Sequence, residues 1–381
     1  MQTTITADNS YQFIPPAFGR FMPMMLPYVF PFYLRLKDRI ESIEYAGEAH
    51  LRESLRLGHR IILAPNHSRQ YDPMLLGLVS QRLKQPFFWM TSWQKFRTNK
   101  FYAWIIRQVG GFSVFREGCD RQALKAAVKL LTSGGRPLVI FPEGEVSRTN
   151  DHLCPFMKGL SFIIKTALLK EKNGSKVVVH PVAIKYVLSH PSTASLHQAL
   201  DDIEDHFHWP RSHANLLKRI VIVGKNMLTL KEMEYLGVTQ TGELSERIHS
   251  MKEHILCQLE DEWLSGKPRS SFMSRVNSLR AAILHQQDIS KRERDALDKI
   301  EWAVRLSNYP HDYLRHNPTL ERMTETVKRL EEDSLRRERK HGRWKARIEI
   351  GAGLEVNPDD PSLKVIAEKV HERLQTILGT I

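Results

Sequence analysis

IILAPNHSRQYDPMLLGLVSQR, residues 61–82, passes from four apolar residues through a dense polar loop into a segment whose apolar positions recur at three and four. A short buried strand turning into a helix is the repeating unit of a parallel sheet. The same alternation extends outward from Gly58 to Gly224. The spacing predicts strands at Ile61–Ala64, Phe87–Thr91, Phe112–Phe115, Pro137–Phe141, Val177–Ile184 and Ile220–Val223. Between them it predicts helices over Pro73–Arg82, Phe101–Val109, Arg121–Leu131 and Leu160–Leu169. The expected fold class is α/β: a mostly parallel central sheet flanked by helices, with a helical C-terminal extension. In such sheets ligands sit beyond the carboxyl ends of the strands, which is where residues 66–72 fall.

Three strand ends carry polar clusters. In the first, His67 and Asp72 are five residues apart, and a chain turning from strand to helix can bring them within hydrogen-bond reach. A carboxylate so placed fixes the imidazole tautomer and stabilises the imidazolium, making His67 a candidate general base. Asp72 before Pro73 also reads as a helix N-cap with proline at the first helical position. In the second cluster, GGFSVFR at residues 110–116, Arg116 can either grip an anion bidentately or pair with Glu117 at the surface. In the third, FPEGEVSR at residues 141–148, Gly144 lets backbone amides approach a ligand closely, while Glu143 accepts from a substrate hydroxyl or braces the loop. Taken alone, this last stretch is a polar turn.

In order and spacing the clusters resemble the phospholipid/glycerol acyltransferase family, the group containing lysophosphatidic acid acyltransferases. NHSRQYD, residues 66–72, is similar to its NHxxxxD motif, which implies His67 as general base and Asp72 as its partner. GGFSVFR resembles the second motif, whose last arginine binds the acceptor phosphate, implying that role for Arg116. FPEGEVSR resembles FPEGTRS, which places Glu143 and Gly144 in the acceptor site. HPVAI, residues 180–184, resembles the VPVAI strand and implies that Pro181 lines the acyl or acceptor pocket. The resemblance spans roughly residues 40–225. One departure stands out: Glu145 and Val146 replace threonine and arginine, so Arg148, or Lys158 near the next helix start, would have to supply the positive charge.

The chain has 381 residues, a formal net charge of +13, 41% hydrophobic and 26% charged residues, a composition able to bury a sizeable core. The net charge calls for an anionic partner: a nucleic acid, an acidic leaflet or a phosphorylated small molecule. Cys119, Cys154 and Cys257 lie far apart without CxxC spacing, so neither a zinc site nor a disulfide framework is expected, and a reducing cytosolic setting fits. No apolar run is long enough to span a bilayer, and MQTTITADNS lacks a cationic start and a small-residue cleavage site. FMPMMLPYVFPFYL, residues 21–34, is interrupted by Pro23, Pro27 and Pro31 and leaves two readings open. It is an interfacial anchor with Arg20, Arg35 and Lys37 at the headgroups, or a segment packed across the main domain.

Beyond Gly242 long charged helical stretches begin, first Leu244–Leu264, then a break at Gly266, Lys267 and Pro268, then an a/d-like spacing at Leu320, Met323, Val327 and Leu330. RIEIG at residues 347–351, followed by a helix, echoes RIVIVG at 219–224 and suggests a last strand returning to the sheet edge. The expected division is an interfacial segment over 1–40, a catalytic domain over 41–265 and a mainly helical extension over 266–381 that returns a strand and helix to the core. The basic run Arg336, Arg337, Arg339, Lys340, Arg343, Lys345 and Arg347 reads either as a leaflet contact or as a solvated face balanced by Glu331, Glu332, Asp333 and Glu338; the second reading is favoured.

The resemblance therefore implies transfer of a fatty acyl group from acyl-CoA or acyl-carrier protein to a lysophospholipid or glycerol-phosphate-like alcohol. No metal or bound cofactor is expected, and the enzyme would sit peripherally on the cytoplasmic face of an anionic membrane. A different class remains, a catalytically silent protein of the same fold that binds lipid or acyl donor. Nucleic-acid binding ranks last, because no helix-turn-helix, zinc module or aromatic-and-basic alternation is present.

Overall fold

In β2 (Arg60–Pro65), Ile61 and Leu63 enter one apolar cluster, Ile62 and Ala64 another, and both faces are covered. A strand buried on both faces reads as a continuous apolar run, which is why this segment was legible. The computed structural model describes residues 11–118, 120–171, 174–264, 266, 271–284, 290–310, 312–356 and 365–381. Met1–Ser10, Cys119, Lys267 and Pro268 lie outside them.

The other strands are β1 (Ile40–Ala46), β3 (Phe88–Ser92), β4 (Gly111–Val114), β5 (Leu138–Val139), β6 (Val177–His190), β7 (Arg343–Ile350) and β8 (Leu354–Val356). They form one sheet in the order β1-β7-β6-β2-β5-β3-β4, with β8 also paired to β6. β6, β2, β5, β3 and β4 run parallel, whereas β7 and β8 run antiparallel to β6. The expected mostly parallel, helix-flanked sheet is present. Helices Arg121–Ser133, Gly159–Lys170 and Ile366–Thr380 cover one face; Asp72–Arg82 and Phe30–Asp38 contribute to the other.

Beyond strand β1, which was not expected, three details differ from expectation. Ile220–Val223 is not a strand but part of helix Leu216–Leu236. Ile220, Val223 and Met227 are buried at helical spacing against Leu196, Leu200 and Val327, so packing overrides the β-branched preference. The late strand β7 does return to the sheet, though not at its edge: it lies between β1 and β6, and β1 is the edge. The helical layer begins at Thr193 and carries its own apolar clusters.

The proline-broken segment forms a helix (Phe21–Met25), a 3-10 turn (Leu26–Val29) and a second helix, with Pro27 and Pro31 in first turns where no amide is needed. Pro23, Pro27 and Leu34 are buried, while Phe21, Tyr28 and Phe32 are 70% exposed or more. Phe30 lies over Gly77, where a Cβ would come within 2.7 Å of its ring, so helix Asp72–Arg82 needs glycine there to seat this segment. Among the described residues no helix is long and apolar enough to cross a membrane.

Candidate active site

The chain leaving β2 is tied down at once. The Asn66 amide exchanges hydrogen bonds with the main chain of Ile184 on β6, at 2.9 and 2.7 Å. His67 follows, its Nδ1 3.0 Å from Asp72 Oδ2. Asp72 is the first residue of helix Asp72–Arg82, with Tyr71 at the N-cap position. Its carboxylate does not cap that helix: it turns back to accept from the Arg69 amide at 2.9 Å, from the Tyr186 hydroxyl and from His67. Asp72 is fully buried, so these partners satisfy a charge that water does not reach. With the carboxylate as acceptor, the proton sits on Nδ1, and Nε2 is left as the basic nitrogen.

The third polar loop holds the histidine from the other side. Glu143 accepts from the His67 amide at 2.6 Å and from the Cys154 amide at 3.0 Å, while the Ser147 amide donates to the His67 carbonyl at 2.8 Å. Glu143 therefore braces the loop. Burial pushes its carboxyl up to about 7, although the amides of Cys154 and His67 oppose that shift. The Phe141 ring lies 4.2 Å from the imidazole between centroids. Gly144 has φ +79°, and a Cβ there would collide with the Met157 sulfur, so the turn requires glycine.

Arg116 follows β4 and donates to the Gly144 carbonyl, with Glu145 at 3.9 Å. Its expected surface partner Glu117 instead accepts from Trp93 and Gln94, both at 3.1 Å. His67, Arg116, Glu143 and Gly144 thus share the wall of one cavity of about 1670 Å³. Its apolar part includes Met90, Leu124, Ile140, Phe156, Leu160 and Ile163. That volume exceeds the usual few hundred to 1,000 Å³ of small-ligand sites and suits a long chain with a headgroup.

Two other expected site residues are placed differently. Arg148 has φ +57° and lines the cavity, yet its guanidinium is engaged by Glu332, with Asp333 at 4.0 Å. Pro181 lies inside β6 opposite Ala64 and beneath Gly351, away from the cavity wall. Lys158 is exposed and lines the cavity at the start of helix Gly159–Lys170. Among the described residues no group of three or more His, Cys, Asp or Glu is arranged to hold a metal.

Several contributors escaped sequence reasoning. Tyr186, on β6, closes the hydrogen bonding of Asp72. Arg69 stacks 3.9 Å from the Tyr186 ring centroid and 4.1 Å from that of Trp344 on β7, and pairs with Asp38 at 2.9 Å. From helix Phe272–Leu284, Arg280 reaches Glu145 at 2.8 Å; from helix Leu320–Leu335, Arg329 donates to the Arg148 carbonyl at 2.6 Å. No local pattern marks these partners, because each pair is far apart in sequence.

Parallel strands whose carboxyl ends gather a histidine–aspartate pair, an arginine and a glutamate-glycine turn define a class. Residues 42–185 match the family model described as Acyltransferase, and this part of the chain is an acyltransferase-family domain. It is similar to the 1-acyl-sn-glycerol-3-phosphate acyltransferase of Streptococcus pneumoniae (strain ATCC BAA-255 / R6), 27% identical over 119 residues. The match covers 30% of this chain and 44% of that relative, so the chain spans less than half the length of the curated relative it matches.

Proposed function

We propose that the protein transfers a fatty acyl group from a thioester, acyl-CoA or acyl-carrier protein, to the hydroxyl of a lysophospholipid or related glycerol-phosphate-like acceptor. The observation that carries this is the His67–Asp72 contact at 3.0 Å on the wall of a large, partly apolar cavity. In this reading His67 Nε2 takes the acceptor hydroxyl proton as that oxygen attacks the thioester carbonyl. The tetrahedral intermediate then expels the thiolate, which receives the proton back from the imidazolium. Arg116 and Gly144 would contact the acceptor headgroup, and Glu143 would hold the His67 main chain in place. Similarity to the pneumococcal acyltransferase supports the glycerol-phosphate-like acceptor.

The exposed aromatics of the first two helices, with Phe101 and Trp104 at 67% and 46% exposure, support peripheral seating at a lipid interface, and the net charge of +13 favours an anionic one. Tyr33 and Tyr102 line the cavity on that side, so a lipid acceptor could enter without its tail crossing water. The test uses the purified chain, labelled acyl-CoA and a panel of lysolipids. His67→Ala is expected to lower transfer by about 10²–10⁴ with an unchanged melting temperature, and Asp72→Asn by a comparable factor. Donor bound but never transferred to any acceptor would instead favour the silent lipid-binding reading.

A further inference from the structure

Glu145 occupies an unusual place for an acidic side chain, directly between two arginines on the cavity wall. Arg116 comes from the acyltransferase-family segment and stands 3.9 Å away; Arg280 comes from the C-terminal helices and stands 2.8 Å away. Arg280 is 4% exposed, lines the cavity, and also contacts Glu301 at 3.4 Å. The Nε atoms of both Arg116 and Arg280 are buried and have no hydrogen-bond partner among the described residues. A buried guanidinium with an unused donor is costly unless something fills the space beside it, so the wall is built for a ligand with acceptor oxygens.

The charges restrict what that ligand is. Lys95 faces Arg116, and its ammonium is pushed down by burial and then by that neighbour's charge. Around Arg116, Arg280 and Lys95 the cavity wall also carries the carboxylates of Glu145, Glu117 and Glu301, and of these Glu145 stands directly between the two guanidiniums. A phosphate monoester carries close to two negative charges at neutral pH, and a carboxylate held between the two guanidiniums repels the second charge more than a single one. A phosphodiester carries one. Its non-ester oxygens suit the two free Nε–H groups, and hydroxyls on its far side suit the carboxylate of Glu145.

We propose that Arg280 of the C-terminal helices completes the acceptor subsite with Arg116 and Glu145, and that this subsite selects a lysolipid with a monoanionic, hydroxyl-bearing phosphodiester headgroup over a phosphomonoester. This rests on the acyl-transfer reading above. Repulsion from Glu145 supplies the discrimination, and the paired arginines supply the grip.

The experiment compares kcat/KM for lysophosphatidylglycerol and lysophosphatidic acid with one acyl-CoA, using the full chain. The intact protein is expected to favour the diester by about tenfold or more. Glu145→Gln, which removes the charge at nearly constant volume, is expected to move the ratio about tenfold towards the monoester. Arg280→Met is expected to raise KM for both with a smaller change in kcat, and Glu145→Gln keeps the test decisive if that variant does not fold. A preference for the monoester, or a ratio unmoved by Glu145→Gln, overturns the inference while His67-dependent transfer leaves the acyl-transfer reading standing. No His67-dependent transfer to either acceptor overturns both.

Discussion

Glu143 shows how one residue can be structural and sensitive at once. It is 3% exposed, takes two main-chain hydrogen bonds, and burial raises its carboxyl to about 7 from an ordinary 4.5. The folded chain then holds that proton more tightly than the unfolded chain. The resulting stability is present below the unfolded value near 4.5 and is lost as pH rises through about 7. Between pH 4.5 and pH 8 the wild type should therefore lose stability relative to Glu143→Gln by an amount on the order of 3 kcal/mol. Denaturant titrations at both pH values measure it, and parallel curves would refute it. At this scale the His67–Asp72 pair was legible, because its members lie five positions apart in one strand-to-helix turn. Tyr186 and Arg280 were not: they meet Asp72 and Glu145 from 114 and 135 residues away, and a charged residue on a helix looks like part of a solvated face.

Elements were legible in proportion to their burial on both faces. β2 and β6 announce themselves as apolar runs, whereas β1 buries only Ile40 and then alternates half-buried and exposed positions in IESIEYA, and was missed. β7 alternates likewise, with Arg343, Lys345 and Arg347 on its wetter face, and only its RIEIG end stood out. The N-terminal segment packs one face against the main domain, as one of its two readings expects, while the other face projects Phe21, Met25, Tyr28, Phe32 and Leu36, which supports the interfacial role proposed above. An exposed apolar face of this kind is unfavourable in water and favourable at a lipid interface. Phe21→Asp combined with Phe32→Asp should weaken flotation with anionic vesicles by about tenfold or more, yet leave turnover of a short-chain, soluble acceptor within about twofold. Vesicle flotation beside a soluble assay reads both, and unchanged flotation would refute the membrane-facing role.

At the scale of the molecule, the α/β class and the three polar strand ends followed from periodicity. The wiring of the helical region did not, because loop-to-helix ion pairs leave no periodic trace. Helix Leu320–Leu335 holds the loop after β5 through Arg329 to the Arg148 carbonyl, Glu325 to the Asn150 amide and Arg322 to Asp151. β7 lies within the sheet, bonded to β1 on one side and β6 on the other. A chain stopped at residue 340 would lose β7, β8 and helix Ile366–Thr380, exposing apolar strand surface on β6 and leaving β1 unpaired. It is expected to be insoluble or to unfold without a cooperative transition, and a sharp melt for the shortened chain would refute this. The same placement has a temporal side. During synthesis, at about 5–20 residues per second, β6 must wait for the helical region between it and β7 to be made, its flank bare for many seconds. Holding chaperones should engage this nascent chain until β7 emerges, and the sheet should then complete abruptly rather than stepwise.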